Sequence, residues 1–79
     1  MDKYTCRLTF QDTNMPKMYQ KESSKELAIS TISHWSKQFA GIMCLDLFTP
    51  EGDKIIYDCF GNYAFTIPAD SCKKLHIKP

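Results

Sequence analysis

Apolar residues recur at helical spacing over one stretch of the chain, residues 23–39. Ala28, Ile32, Trp35 and Phe39 follow one another at intervals of four, three and four positions. At about 100° per residue, these positions form a single stripe. The pattern predicts an amphipathic helix with one buried face, on which Trp35 is the largest apolar side chain.

Sequence signals mark both ends of this helix. Ser23 followed by Glu26 matches a capping box, in which the serine oxygen accepts from the N3 amide and the glutamate reaches back to the cap amide. Gly41 stands just beyond the last apolar position, where glycine adopts a left-handed closing conformation at little cost. We therefore expect the helix to begin after Ser23 and to end before Gly41.

The segments before the helix predict a β-hairpin. Residues 4–11 alternate between an apolar and a polar side, which is typical of a half-buried strand; the apolar side carries Tyr4, Cys6, Leu8 and Phe10. Turn-forming residues follow at 12–16. The short, charged segment 17–21 then suits a strand at the edge of a sheet.

Three more strands are predicted after the helix, at residues 42–49, 54–60 and 63–67. Turn signals separate them, at 50–53 and at the two-residue hairpin turn Gly61-Asn62. Alternation predicts that Met43, Leu45, Leu47, Ile55, Tyr57 and Cys59 face inward. It places Cys44, Asp46, Phe48, Ile56, Asp58 and Phe60 on the opposite side. Beyond Pro68, we expect one helical turn and then a short strand at 75–77.

The order β-β-α-β-β-β predicts one α+β domain over residues 1–79. Its simplest form is an antiparallel sheet of four to five strands with one helix packed across one face. The other face of the sheet would meet solvent or a partner. With 79 residues, such a domain has one modest core.

Composition and the N-terminal sequence indicate the cellular compartment and argue against one class of partner. The chain is 43% hydrophobic and 24% charged, as folded domains are, and its net charge of +1 argues against a dedicated nucleic-acid binder. The segment MDKYTCRLTF lacks the apolar core of a signal peptide, and no run is long enough to span a membrane. We expect a cytoplasmic protein.

The sequence contains no motif that indicates catalysis, a cofactor or a metal. Cys6, Cys44, Cys59 and Cys72 are separated by 38, 15 and 13 positions and form no close pair of the kind that binds zinc. A disulfide framework would require secretion. We expect four reduced thiols that are buried as small apolar side chains. No nucleophile elbow or phosphate-binding loop occurs, so we predict no enzymatic activity and no cofactor.

The uneven distribution of charge suggests a partner surface. Residues 44–60 contain four carboxylates and a single lysine. Carboxylates would steer a basic partner groove toward this hairpin, and exposed phenyl rings would supply buried area once it has docked. The predicted partner-binding residues are Asp46, Phe48, Glu51, Asp53, Asp58 and Phe60. Reversing Asp46 and Asp58 to Lys is expected to abolish binding with little change in thermal midpoint. Two alternatives stay open: the C-terminal tail covers this face, or the strand parity is shifted by one.

A second candidate surface is basic. Arg7, Lys17, Tyr19 and Lys21 would share the polar face of the first hairpin, where they could contact phosphates and stack a base. With the C-terminal lysines Lys73, Lys74 and Lys78, this surface defines the alternative function, a small nucleic-acid-binding or regulatory protein. A third hypothesis is a subunit-like structural protein whose open sheet face pairs with a second copy. We expect the chain to be a monomer or a homodimer.

The chain resembles several small phage-encoded anti-CRISPR proteins in length and in order of elements. The comparable segments are KMYQKESSKELAISTISHWSKQF and LDLFTPEGDKIIYDCFGNYAFTIP. The resemblance implies a non-enzymatic inhibitor that binds a CRISPR effector complex and blocks nucleic-acid binding or nuclease action in the host cell cytoplasm. It assigns no individual residue.

Overall fold

A computed structural model describes residues 3–79 of the chain. The elements in order are β1 (Tyr4–Phe10), β2 (Met18–Glu22), α1 (Lys25–Gln38), β3 (Ile42–Phe48), β4 (Lys54–Tyr57), β5 (Tyr63–Ile67) and α2 (Ala69–Lys74). The strands form one sheet in the order β2-β1-β3-β4-β5, and every neighbouring pair is antiparallel. The predicted α+β fold, an antiparallel sheet with one main helix, is confirmed.

Helix α1 connects β2 to β3 and passes over β1, which lies between them. It packs against β1, β2 and β3 through the predicted stripe, and Ala28, Ile32 and Trp35 are buried. The facing side chains of the sheet complete the core: Cys6, Leu8, Ile42, Leu45, Leu47, Ile55 and Tyr57. The inward positions predicted for Leu45, Leu47, Ile55 and Tyr57 are therefore confirmed, as is the burial of Trp35.

The helix begins one residue later than the capping-box prediction. The cap is Ser24, whose hydroxyl accepts a hydrogen bond from the Leu27 amide at 3.2 Å. Strand β2 continues to Glu22, so the chain enters the helix after the second of the two adjacent serines, and Glu26 no longer lies at the N3 position. Gly41 is left-handed as predicted, with φ +69°, but it does not close the helix: α1 ends at Gln38, and its cap residue Phe39 is extended.

Two inward predictions, Met43 and Cys59, are wrong. The β1–β3 register shifts between Thr9 and Phe10, so β3 contains an extra residue there and Met43 turns outward. Cys59 is exposed because β4 ends at Tyr57. The bulge and the early strand end are local breaks in the alternation on which both predictions depended.

The turn after β4 is longer than predicted and is held by one carboxylate. Asp58 Oδ1 accepts hydrogen bonds from the Phe60 and Asn62 amides, each at 2.9 Å. The Asp58 amide in turn donates to the Asn62 carbonyl at 2.9 Å. Residues 58–62 therefore form the connection, in place of a two-residue turn at Gly61-Asn62.

The predicted helical turn after Pro68 is confirmed as α2, but residues 75–77 do not form a strand. The amides of His76 and Ile77 donate to the carbonyls of Lys73 and Cys72, and His76 has a left-handed φ of +57°. This pattern is a Schellman closure, in which the residue after the helix cap reverses the chain. It uses the backbone groups that a terminal strand would need.

Candidate protein-binding surface

Asp46 lies on the side of the sheet opposite α1, as predicted, but it is not exposed. Its side chain accepts hydrogen bonds from Arg7 Nε at 3.0 Å and Arg7 Nη2 at 2.8 Å. Lys54 Nζ lies 3.5 Å from the same carboxylate. Arg7 is the register partner of Asp46 on β1, and Asp46 is only 3% exposed. The expectation of a solvent-exposed Asp46 is wrong, because the neighbouring strands place two cations over it.

Phe48 lies beneath the same two cations and is 4% exposed. The Arg7 guanidinium carbon is 4.9 Å from the centroid of the Phe48 ring, and Lys54 Nζ is 5.8 Å from it. The charged ends of Arg7 and Lys54 therefore contact both the face of the Phe48 ring and the carboxylate of Asp46. The expected exposure of Phe48 is therefore also wrong. We call Arg7, Asp46, Phe48 and Lys54 the ion-pair cluster.

Electrostatics support a structural role for this cluster. The hydrogen bonds from Arg7 to the Asp46 carboxylate raise the pKa of the guanidinium above its ordinary value. The two charges are paired in a bidentate geometry with little access to water. Contact between a partner and the Asp46 carboxylate would require this pair to separate first.

The other four residues of the predicted acidic site lie at two separate places. Glu51 is exposed in the turn before β4, and Asp53 accepts a hydrogen bond from the Ala69 amide at 2.7 Å, which fixes the start of α2. Asp58 and Phe60 lie in the connection that follows β4, and Phe60 is 78% exposed. These residues therefore do not form one continuous acidic face.

The predicted basic surface is also divided. Arg7 and Tyr19 are register partners, and Lys17, Tyr19 and Lys21 are exposed. Arg7, however, is bound to Asp46. The lysines of α2 and the chain end follow β5, at the edge of the sheet opposite β2.

Strand β5 forms an exposed surface that the sequence pattern does not predict. It is an edge strand, and α1 packs against β1, β2 and β3, toward the opposite edge of the sheet. Residues 63–66 are all exposed, with Tyr63 at 62% and Phe65 at 53%. The other edge strand, β2, contains Lys21 and Glu22, whereas β5 contains no charged residue. Charges protect sheet edges against unwanted association, and β5 lacks them.

A groove of about 510 Å³ runs between α1 and β5. Its lining residues are Lys25, Ile29, Ile55, Tyr57, Gly61, Asn62, Tyr63 and Thr66. The Tyr63 ring meets that of Tyr57 edge-on, with centroids 6.3 Å apart, and its hydroxyl lies 2.9 Å from Thr66 Oγ1. Burial raises the pKa of Tyr57 above its ordinary value. Tyr63 and Thr66 pair with Tyr57 and Ile55 and lie on the helix-facing side of the sheet, whereas Phe65 pairs with Ile56 and lies on the opposite side. The exposed residues Ile29, Tyr63, Phe65 and Thr66 therefore lie on both sides of this sheet edge, and we call them the β5 surface.

The cysteines are free, and they divide into two classes. Cys6 and Cys72 are buried, whereas Cys44 and Cys59 are exposed, so the expectation of four buried thiols is wrong for two of them. Within residues 3–79, no three His, Cys, Asp or Glu side chains are grouped closely enough to hold a metal ion. Neither helix of the described part is long and apolar enough to cross a bilayer.

No protein-family model matches the chain, and no curated protein or solved structure shows significant similarity to it. The assignment of a function therefore rests on the exposed surfaces described above.

Proposed function

We propose that the chain is a small non-enzymatic module that binds a protein partner through the β5 surface. The observation that carries this proposal is the exposure of Tyr63 and Phe65 on an uncharged edge strand that α1 leaves uncovered. Protein interfaces are enriched in aromatic anchors and depleted of charge at their centres. The β5 surface has this composition.

Magnitudes favour the aromatic residues over the charged ones as the source of affinity. Covering the exposed half of an aromatic side chain removes about 100 Å² from water, worth roughly 2–3 kcal/mol before the cost of association. An exposed ion pair contributes about 0–1 kcal/mol. Asp58 and Glu51 would then act mainly on the rate of encounter with a basic partner.

The narrower form of the proposal names a partner class. The resemblance to anti-CRISPR proteins suggests a CRISPR effector complex, whose nucleic-acid binding or nuclease action the chain would block. Support for this narrower proposal comes from the order of elements alone. Its test is a DNA-cleavage assay with the purified effector complex of the host. Unchanged cleavage at saturating protein would refute it and would leave the binding-module proposal in place.

A matched pair of variants tests the general proposal. Tyr63→Ala with Phe65→Ala removes two exposed rings from the β5 surface. Leu27→Ala with Met43→Ala removes two comparably exposed apolar side chains from elsewhere. In pull-downs from host lysate, proteins retained by the wild type and by the control pair should be lost with the β5 pair. Equal retention by all three would contradict the proposal, provided that circular dichroism shows all three folded.

The alternative, nucleic-acid binding through Arg7, Lys17, Tyr19 and Lys21, is supported by the exposure of Tyr19 between two exposed lysines. The binding of Arg7 by Asp46 weakens it. Lys17→Glu with Lys21→Glu should abolish any salt-dependent gel shift of single-stranded DNA or RNA if this surface is used.

A further inference from the structure

The free edge of β5 presents few backbone groups to a partner strand. The Thr49 amide donates to the Asp53 carbonyl at 2.9 Å, which marks a hydrogen-bonded pair in the β3–β4 ladder. Hydrogen-bonded and non-hydrogen-bonded pairs alternate along an antiparallel ladder. Ile55 lies two positions after Asp53, so it also belongs to a hydrogen-bonded pair and directs its backbone groups toward β3. Its partner on β5, Thr66, therefore directs its N–H and C=O toward the free edge.

Two breaks confine this edge to residues 65–67. The register of β4 and β5 shifts between Phe65 and Tyr63, and Pro68, which has no N–H, follows Ile67. A strand of this length spans about 10 Å. Pairing of two copies through β5 would fall far short of the roughly 1,200 Å² that a stable interface buries. The β5 surface therefore offers side chains more than backbone.

The helix-facing side of the sheet has room for a second helix. Five strands at about 4.8 Å spacing place the outer strand axes about 19 Å apart, whereas one helix is about 10 Å across. Helix α1 packs on β1, β2 and β3, and the groove over β4 and β5 lies beside it. A second helix at the usual interaxial distance of about 8–10 Å from α1 would lie in this groove.

The groove lining indicates the character of that helix. The apolar part of the lining consists of the exposed side chains of Ile29 on α1 and Tyr63 on β5 and the buried side chains of Ile55 and Tyr57 on β4. Lys25 is the one charged lining residue, and among residues 3–79 no carboxylate lies within salt-bridge distance of it. An occupant with an apolar stripe and an acidic side chain beside Lys25 would complement both features.

We infer that the groove between α1 and β5 binds an amphipathic helix of the partner protein, with the apolar stripe of that helix against Ile29 and Tyr63 and an acidic residue beside Lys25. This inference rests on the proposed function and specifies the kind of partner. It corresponds to the helix-in-groove mode of recognition, in which apolar anchors follow helical spacing.

The test is panning against the wild-type protein with two phage-displayed peptide libraries. One library has apolar residues at helical spacing in peptides of about 16 residues, long enough to form a helix. The other is fully random. We expect enrichment from the patterned library of peptides with Asp or Glu near one end and a gain of helicity on binding. Ile29→Gln should weaken the binding of these peptides about tenfold or more. Leu27→Gln, on another side of α1, should leave their binding unchanged.

Charge reversal supplies the specific control. Lys25→Glu should weaken binding of the acidic peptides. Replacing the acidic residue of these peptides with Lys should restore their binding to the Lys25→Glu variant. No enriched peptide, or peptides insensitive to Ile29→Gln, would overturn the groove inference. Random-library peptides that bind in extended form, with sensitivity to Phe65→Ala and not to Ile29→Gln, would overturn it as well, while the proposed function would stand. The libraries and the pull-down therefore separate the two failures.

Discussion

Arg7 and Asp46 face each other across β1 and β3 and form a bidentate ion pair on the side of the sheet away from the helix. The two hydrogen bonds measure 3.0 and 2.8 Å, and both side chains have little access to water. Each strand alone would present an exposed charge. The register that pairs the strands turns these charges into a nearly enclosed contact above Phe48.

The first prediction concerns this pair. Asp46→Ala should lower the free energy of unfolding by about 3 kcal/mol or more, because it leaves Arg7 without its partner in a poorly hydrated site. Urea denaturation measures the effect. Glu51→Ala, at an exposed carboxylate, should change stability by less than about 0.5 kcal/mol. The double variant Arg7→Leu with Asp46→Leu should be closer to wild type than Asp46→Ala. Equal small effects of Asp46→Ala and Glu51→Ala would contradict the structural role.

This pair also changes how charge reversal must be interpreted. The sequence pattern predicts that reversing Asp46 and Asp58 to Lys leaves the thermal midpoint nearly unchanged, but the ion-pair cluster makes a marked drop the expected result. Loss of binding in that variant would report unfolding as readily as a lost contact. Asp58→Asn is a better charge test, because the amide oxygen of Asn can still accept the two loop hydrogen bonds.

Much of the fold could be predicted from local pattern. The stripe of Ala28, Ile32 and Trp35 located the helix, and alternation identified the inward side of β3 and β4. Burial on the other side was not predictable in this way. It depends on β1 lying beside β3 in a register that sets Arg7 opposite Asp46, a contact between residues far apart in the sequence.

The β5 surface could not be derived for a related reason. Its exposure depends on where α1 lies across the sheet, and the amphipathic stripe of a helix does not determine which strands that helix covers. The readable signal was the absence of charge from residues 63–67. That absence predicts a buried strand as readily as an interface, so the strand order was needed to decide.

The second prediction concerns Trp35, the single tryptophan of the chain. Trp35→Ala should lower the free energy of unfolding by about 3–5 kcal/mol, because it opens a cavity between α1 and the sheet. Leu27→Ala, at an exposed position on the same helix, should have a much smaller effect. The fluorescence of the folded wild-type protein should be that of an indole shielded from water. An emission maximum typical of exposed indole would refute the packing.

The third prediction concerns thiol accessibility. At pH 8 without denaturant, Cys44 and Cys59 should react rapidly with a thiol reagent, whereas Cys6 and Cys72 should react only on unfolding. Cys44→Ser and Cys59→Ser should each remove one fast-reacting thiol. Four fast thiols in the folded wild type would show that the core around Cys6 opens readily.

The fourth prediction concerns alkaline stability. Burial, with a smaller effect of the Glu22 charge, raises the pKa of Cys6 from 9.0 to about 12. The folded state thus holds this proton more tightly than the unfolded state. The resulting stabilisation is complete below about pH 9 and is lost as the pH rises toward 12. Urea denaturation should show that the free energy of unfolding of the wild type is lower at pH 10.5 than at pH 8.

Cys6→Ala is the control for this pH dependence, since it removes the thiol and leaves Tyr57, whose raised pKa acts in the same direction. The variant should lose less stability than the wild type between the two pH values, whatever its stability at pH 8. Identical losses would show that Cys6 does not contribute to the alkaline decline.

The last prediction compares two left-handed glycines. Gly41 and Gly61 have φ values of +69° and +83°, so alanine is strained at either position. A Cβ on Gly41 would meet no atom within 4 Å, whereas one on Gly61 would lie 2.8 Å from Ser36 Oγ and 3.2 Å from Ser36 Cβ. Gly41→Ala should therefore show the backbone penalty alone, about 1–2 kcal/mol. Gly61→Ala should lower the free energy of unfolding further.

The difference between the two variants measures how closely the 58–62 connection packs on α1. Ser36 cannot rotate away freely, because its hydroxyl donates to the Ser33 carbonyl at 2.6 Å. Adding Ser36→Ala to Gly61→Ala removes the nearer of the two atoms and should restore part of the lost stability. Equal destabilisation by Gly41→Ala and Gly61→Ala would show that the connection yields without cost. In that case one end of the groove beside β5, where Gly61 forms part of the lining, would be loosely held.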